Sequence, residues 1–238
     1  MRRSGDDDVI SSDLSRAPSD SRDASSMSFD RPISQGVLSL EVRWIIRGAL
    51  TSQMIDWFGP FPGEVETRRD SYLVSRRIPD VAIKIRGDSQ LDVKVYEGSP
   101  AVLTVPGRAR GRLGSWRKSS FPLRPVAEDT EPAGWESVGK IRRIRFFSLQ
   151  GRPIEPAATA GDGACTVELT DVRVGRDRWW TLGFEATGPS DALIGGLNAT
   201  AAIVFVEPLP GGLELDVADS TSYLGWLERF RDHSGPGP

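Results

Sequence analysis

The runs Val81-Ala-Ile-Lys-Ile-Arg86 and Leu91-Asp-Val-Lys-Val-Tyr96 alternate apolar with polar side chains at nearly every step. Successive side chains of a strand point to opposite faces. Lys84 and Arg86 therefore share one face against Val81, Ile83 and Ile85, and Asp92, Lys94 and Tyr96 oppose Leu91, Val93 and Val95. The same period continues outward in both directions, predicting strands over 37–46, 67–74, 138–147, 164–172 and 179–187 besides these two. Glu41 and Arg43 fall together against Leu40, Val42 and Trp44. Lys140 pairs with Arg142, Thr166 with Glu168 and Thr170, and Glu185 with Thr181 and Thr187.

Few helices accompany these strands. Leu50, Met54 and Trp57 have the spacing of a short helix over 49–58, stopped by Gly59-Pro60. Ser190 is expected to cap a helix reaching about Ala202, and Ser220 or Thr221 to cap a last amphipathic helix with Tyr223, Leu224, Leu227 and Phe230. The stretch 106–126, with Arg108, Arg110, Arg112, Arg117, Lys118 and Arg124 and no acid, is expected as a basic loop, and 127–135 and 152–163 as further loops. This pattern predicts a mainly β (α+β) fold, an antiparallel sheet or barrel of about eight strands with a few outer helices. Residues 1–36, rich in Ser, Asp, Arg and Pro, carry too little apolar surface to order and are expected as a disordered tail. The folded domain is then 37–232, followed by a second disordered tail, 233–238.

Composition removes several chemistries. The 238 residues hold 30 basic and 33 acidic side chains, a formal charge of −3, so no global pull on nucleic acid or a membrane surface is expected. His233 is the only histidine and Cys165 the only cysteine, which excludes a His-ligated zinc site, a Ser-His-Asp triad and an internal disulfide. No apolar run is long enough to span a membrane and no secretion signal is evident at the N-terminus, and from the lone cysteine a reducing, cytoplasmic location is expected.

Only four basic residues are lysines, and Lys84, Lys94 and Lys140 all stand on polar strand faces. One account is an open antiparallel sheet with a wet face. The other closes the sheet, turning those faces into the lining of a tunnel. Lysine and arginine gathered in low dielectric would favour a compact polyanion. Glu41, Glu168 and Glu185 on neighbouring strands would offer hard oxygen ligands for Mg2+ or Mn2+.

These residues resemble the CYTH family, the triphosphate tunnel metalloenzymes. Ser39-Leu-Glu41-Val-Arg43 is similar to the end of the family's first strand of glutamates and a lysine, and Asp70-Ser71-Tyr72 to its Asp-x-Tyr. Lys84-Ile-Arg86, Lys94 and Lys140-Ile-Arg142 resemble its basic strands, Val167 to Val172 its acidic strand, and Leu182-Gly183-Phe184-Glu185 the turn into its late strand. Ser39 and Thr187 stand where the family has carboxylates, leaving at most one metal site. The resemblance implies a CYTH-like barrel and a metal-dependent phosphohydrolase, or a binder, of a short polyphosphate or nucleoside triphosphate. Glu41 and Lys140 would be catalytic. Arg43, Lys84, Arg86, Lys94, Lys140 and Arg142 would hold phosphates, and Glu41, Glu168 and Glu185 the Mg2+ or Mn2+ ion. The competing expectation is a non-catalytic module that senses a phosphorylated small molecule on the same scaffold.

Overall fold

A computed structural model describes residues 36–123, 134–156 and 163–234. The expected N-terminal tail, apart from Gly36, lies outside the described residues, as do 235–238 and Arg124 of the expected basic loop. The strands are β1 (Val37–Arg47), β2 (Gly63–Leu73), β3 (Val81–Arg86), β4 (Gln90–Gly98), β5 (Val102–Val105), β6 (Ala109–Arg112), β7 (Gly114–Pro122), β8 (Trp135–Ser148), β9 (Ala164–Val174) and β10 (Asp177–Thr187). The helices are α1 (Ser52–Phe58), α2 (Leu193–Val204) and α3 (Tyr223–Ser234). Eight strands close into an antiparallel barrel in the order β1-β10-β9-β8-β2-β3-β4-β7, while β5 and β6 form a separate hairpin. The open sheet is thereby excluded.

Closure puts the apolar faces outside, and the rest of the chain covers those of β1, β9 and β10. Leu40, Val42 and Trp44 of β1, Val167 and Leu169 of β9, and Leu182 and Phe184 of β10 join one buried cluster. Met54 and Phe58 of α1, Leu197 and Ala201 of α2, and Leu103 and Ala109 of the hairpin pack onto it. Trp44 is fully buried, meets Phe184 and Phe205 edge-on, and donates its indole N–H to the Arg110 carbonyl at 2.8 Å. That bond ties the β5–β6 hairpin to the wall.

The inward positions are charged along the middle of the barrel and apolar towards one end. There Ile45, Tyr72, Val138, Val172 and Val174 cluster with Trp226 and Leu227 of α3. The last helix thus closes that end, with Trp179 packed edge-on against Trp226 at 5.3 Å.

Three local expectations need correction. The stretch expected as a basic loop supplies β6 and β7, and β7 completes the barrel between β1 and β4. Its side chains do not alternate cleanly because both its faces carry polar groups. The cap of α3 is Ser222, not Ser220 or Thr221: its Oγ accepts from Gly225 N at 3.1 Å, while Ser220 Oγ is spent on Arg112 N. Helix α2 starts at Leu193, and Ala192 precedes it with no side-chain cap, so Ser190 does not cap it.

Candidate functional site

The β3–β4 turn sets the central register. Gly87 and Asp88 adopt positive φ, a conformation glycine reaches freely and Asp tolerates. The tight turn places Lys84 opposite Asp92 and Ala82 opposite Lys94. Elsewhere around the barrel, β1 sets Glu41 opposite Glu185 of β10, and β2 sets Arg68 opposite Lys140 of β8.

All of the residues expected to act line a single interior cavity of about 360 Å³: Glu41, Arg43, Lys84, Arg86, Lys94, Lys140, Arg142, Glu168 and Glu185. That volume is in the range of a small-molecule site. Nine Lys or Arg side chains border it against five Asp or Glu, in a chain whose formal charge is −3. A second cavity of about 260 Å³ shares Lys118 and Glu185 with it and is edged by the hydroxyls of Ser39, Ser119, Ser120 and Thr187.

Most of the cations are already neutralised. Lys140, 3 % exposed at its side chain, donates to Asp70 Oδ2 at 2.7 Å and to the Tyr72 hydroxyl at 2.6 Å, and its ammonium lies 3.9 Å from the centre of the Tyr223 ring. Burial brings its pKa down to about 8, although Asp70 opposes the shift. Arg68 pairs with Asp70 at 2.9 Å and with Glu66 at 3.1 Å. Arg142 bonds Glu168 at 2.7 Å and also Glu66, and Arg43 reaches Glu168 at 3.3 Å and Thr181 at 3.0 Å.

Around the buried Asp92 the balance differs. Three cations converge on its Oδ2: Arg86 at 2.8 Å, Lys84 at 3.8 Å and Lys118 at 3.7 Å. Gln90 and Ser120 donate to Oδ1 at 2.6 and 2.7 Å. Burial alone would raise this carboxyl, yet the Ser120 and Gln90 hydrogen bonds and the cations hold it at about 2. Among the described residues Lys84 has one other ion pair, to Asp70 at 3.8 Å. Burial first, then the charge of Lys140, pushes its pKa well below the usual lysine value, and Lys118 is lowered by burial and Arg86. Among the described residues neither ammonium has a carboxylate oxygen closer than 3.7 Å.

The carboxylates expected to bind metal do not assemble. Among the described residues, no three His, Cys, Asp or Glu side chains are grouped so as to hold an ion. Glu168 is spent on Arg43 and Arg142, whereas Glu41 and Glu185 share Lys94. Burial would raise both, and the charge of Glu185 adds to it at Glu41, which is pushed up, while Lys94 brings Glu185 down to about 2. The donor set therefore does not fit Mg2+ or Mn2+ as it stands.

Sequence reasoning missed Lys118, expected in a loop, and the inward row Glu66, Arg68. The row Glu66, Arg68, Asp70 and Tyr72 has the strand period and would have shown it. Nothing in the sequence around Tyr223 pointed into the cavity.

Fold and site together define a closed antiparallel barrel with a cationic interior. No protein-family model matches the sequence, and the search of curated proteins gives no match. Among solved structures the chain is similar to the triphosphatase of the mimivirus capping enzyme, at 11 % identity over 72 % of this chain and 91 % of that one, with a TM-score of 0.41. It is similar to a protein from Pyrococcus horikoshii at 13 % identity over 79 % and 99 %, TM-score 0.41. An RNA triphosphatase of S. pombe, solved in complex with the Spt5 CTD, is similar at 11 % identity over 73 % and 81 %, TM-score 0.37.

Proposed function

We propose that the barrel binds a short polyphosphate or the triphosphate of a nucleotide, gripping it through Lys84, Arg86 and Lys118. The observation that carries this reading is the convergence of these three cations on the single carboxylate of Asp92. An unshared excess of positive charge in a low-dielectric interior strengthens each charge-assisted bond to a phosphate oxygen. The Arg86 guanidinium supplies a planar fork for two phosphate oxygens, and the two ammonium groups are free to turn towards the anion. Lys140, Arg43 and Arg142 are held by their own carboxylates and shape the remainder of the cavity. The ligand-binding reading is favoured over the phosphohydrolase because the carboxylate trio that would hold an ion is not grouped.

The test is thermal unfolding with millimolar tripolyphosphate. A ligand at about 100 times its Kd stabilises by about 2.7 kcal/mol, a rise on the order of 5–10 °C for a chain of this size. Lys84→Ala and Lys118→Ala are each expected to weaken binding roughly ten- to hundred-fold, the loss of about 1.5–3 kcal/mol from one bond to a charged group. No shift with tripolyphosphate or ATP would overturn the reading. Phosphate release abolished by Glu41→Gln would establish the hydrolase instead.

A further inference from the structure

Glu41 and Glu185 are direct cross-strand partners, and like charges so placed repel. Lys94 resolves the repulsion from β4, two strands away, with β7 between β4 and β1. Its ammonium donates to Glu185 Oε1 at 3.1 Å and also to Glu41 Oε1, the oxygen that Ser39 Oγ reaches at 2.9 Å. The point where the two carboxylates converge is thus filled by a cation that the chain itself carries. Mg2+ or Mn2+ at that point would need several oxygens within about 2.0–2.6 Å. The third carboxylate is not at hand, because Glu168 binds Arg43 and Arg142, one cation to each oxygen. At Ser39 and Thr187, beside the same spot, hydroxyls edge the second cavity where more carboxylates would be needed.

We propose that Lys94 is a built-in counter-ion holding the place between Glu41 and Glu185 that a divalent cation would take, so that the barrel binds its polyanion without metal. The first half stands on the geometry of Glu41, Glu185 and Lys94. The second rests on the polyanion reading above. A tethered ammonium supplies one positive charge, cannot be removed by chelation, and leaves Lys84, Arg86 and Lys118 to meet the phosphates alone.

Mn2+ titration followed by electron paramagnetic resonance tests the first half, with Mn2+ as the only added ligand. The unaltered chain is expected to show no saturable Mn2+ site below millimolar concentration. Lys94→Met is expected to uncover one at least ten-fold tighter, which Glu41→Gln in the same chain removes, and Lys94→Arg is expected to keep the site closed. Lys94→Gln is measured alongside in case the methionine variant does not fold, and the unaltered chain needs neither. Saturable Mn2+ binding to the unaltered chain, lost on Glu41→Gln, would overturn the proposal, as would folded Lys94 variants that gain no site. For the second half, the thermal shift given by tripolyphosphate is expected to be the same with and without EDTA. A shift that EDTA abolishes overturns the metal-free claim, whereas no shift in either condition overturns the polyanion reading and leaves Lys94 standing on the Mn2+ result.

Discussion

Gly183 lies in register with Arg43 of β1 on one side and Glu168 of β9 on the other. A Cβ built there would meet Arg43 Cζ at 2.6 Å, so the missing side chain is what lets the guanidinium cross β10 to its carboxylate. Gly183→Ala is expected to push Arg43 off Glu168, leaving a buried carboxylate with Arg142 alone. The cost should be about 1–3 kcal/mol, the penalty for an under-satisfied buried group, and would show as a lower midpoint in urea. An unchanged midpoint would mean that Arg43 finds an equivalent position. Alternation made it legible that Arg43 and Glu168 face inward, since period two assigns a face. It does not assign a partner across the barrel, nor does it mark Gly183, at the middle of β10, as the gap that Arg43 crosses.

At the scale of elements, the strands with one apolar face were legible and those without one were not. β3 and β4 set the half-buried Ile83 and Val93 on the face opposite their charged inner side chains, so composition and period agree. β7 runs Gly-Ser-Trp-Arg-Lys-Ser-Ser-Phe-Pro, with Lys118 turned into the barrel and Arg117 paired to Glu97 outside, and that absence of an apolar row reads as loop. Helix α3 was legible as amphipathic, but what its apolar side covers was not, because Ile45, Tyr72, Val138 and Val172 meet only when the barrel closes. Trp226 carries much of that seam, packing against Trp179, Tyr223 and Phe230. Trp226→Ala is expected to destabilise by roughly 3–5 kcal/mol through the cavity it leaves. Trp226→Phe should cost far less, since the buried indole N–H makes no hydrogen bond among the described residues. Chemical unfolding of the two variants side by side checks this, and equal losses would show that the indole itself is required.

For the whole molecule, the contrast between a chain of charge −3 and a cationic interior makes protonation a shared property of stability and binding. Lys140 is packed among Arg68, Asp70 and Tyr72 of β2, Lys84 of β3, Glu168 of β9 and Tyr223 of α3. Burial lowers it to about 8 from the ordinary lysine value of 10.5, and it lowers Lys84 as well. Between these values the unfolded chain holds more protons than the folded one, so stability from Lys140 rises with pH over that window and levels off above it. Anion binding has the opposite sign, because a phosphate favours the protonated form of Lys84 and Lys118, both lowered by burial, and loses it as the pH rises. ATP is the suitable probe, since the last ionisation of a phosphate monoester lies near pH 6 and its charge is constant over the window. Calorimetric titrations at pH 7.5, 8.5 and 9.5 (about 25 °C) are therefore expected to show affinity falling at each step while the ligand-free chain becomes harder to unfold. The two slopes must diverge if Lys84 and Lys118 face the ligand as amines of lowered pKa while Lys140 titrates inside the wall. Affinity that stays level to pH 9.5 would mean that arginines alone hold the anion.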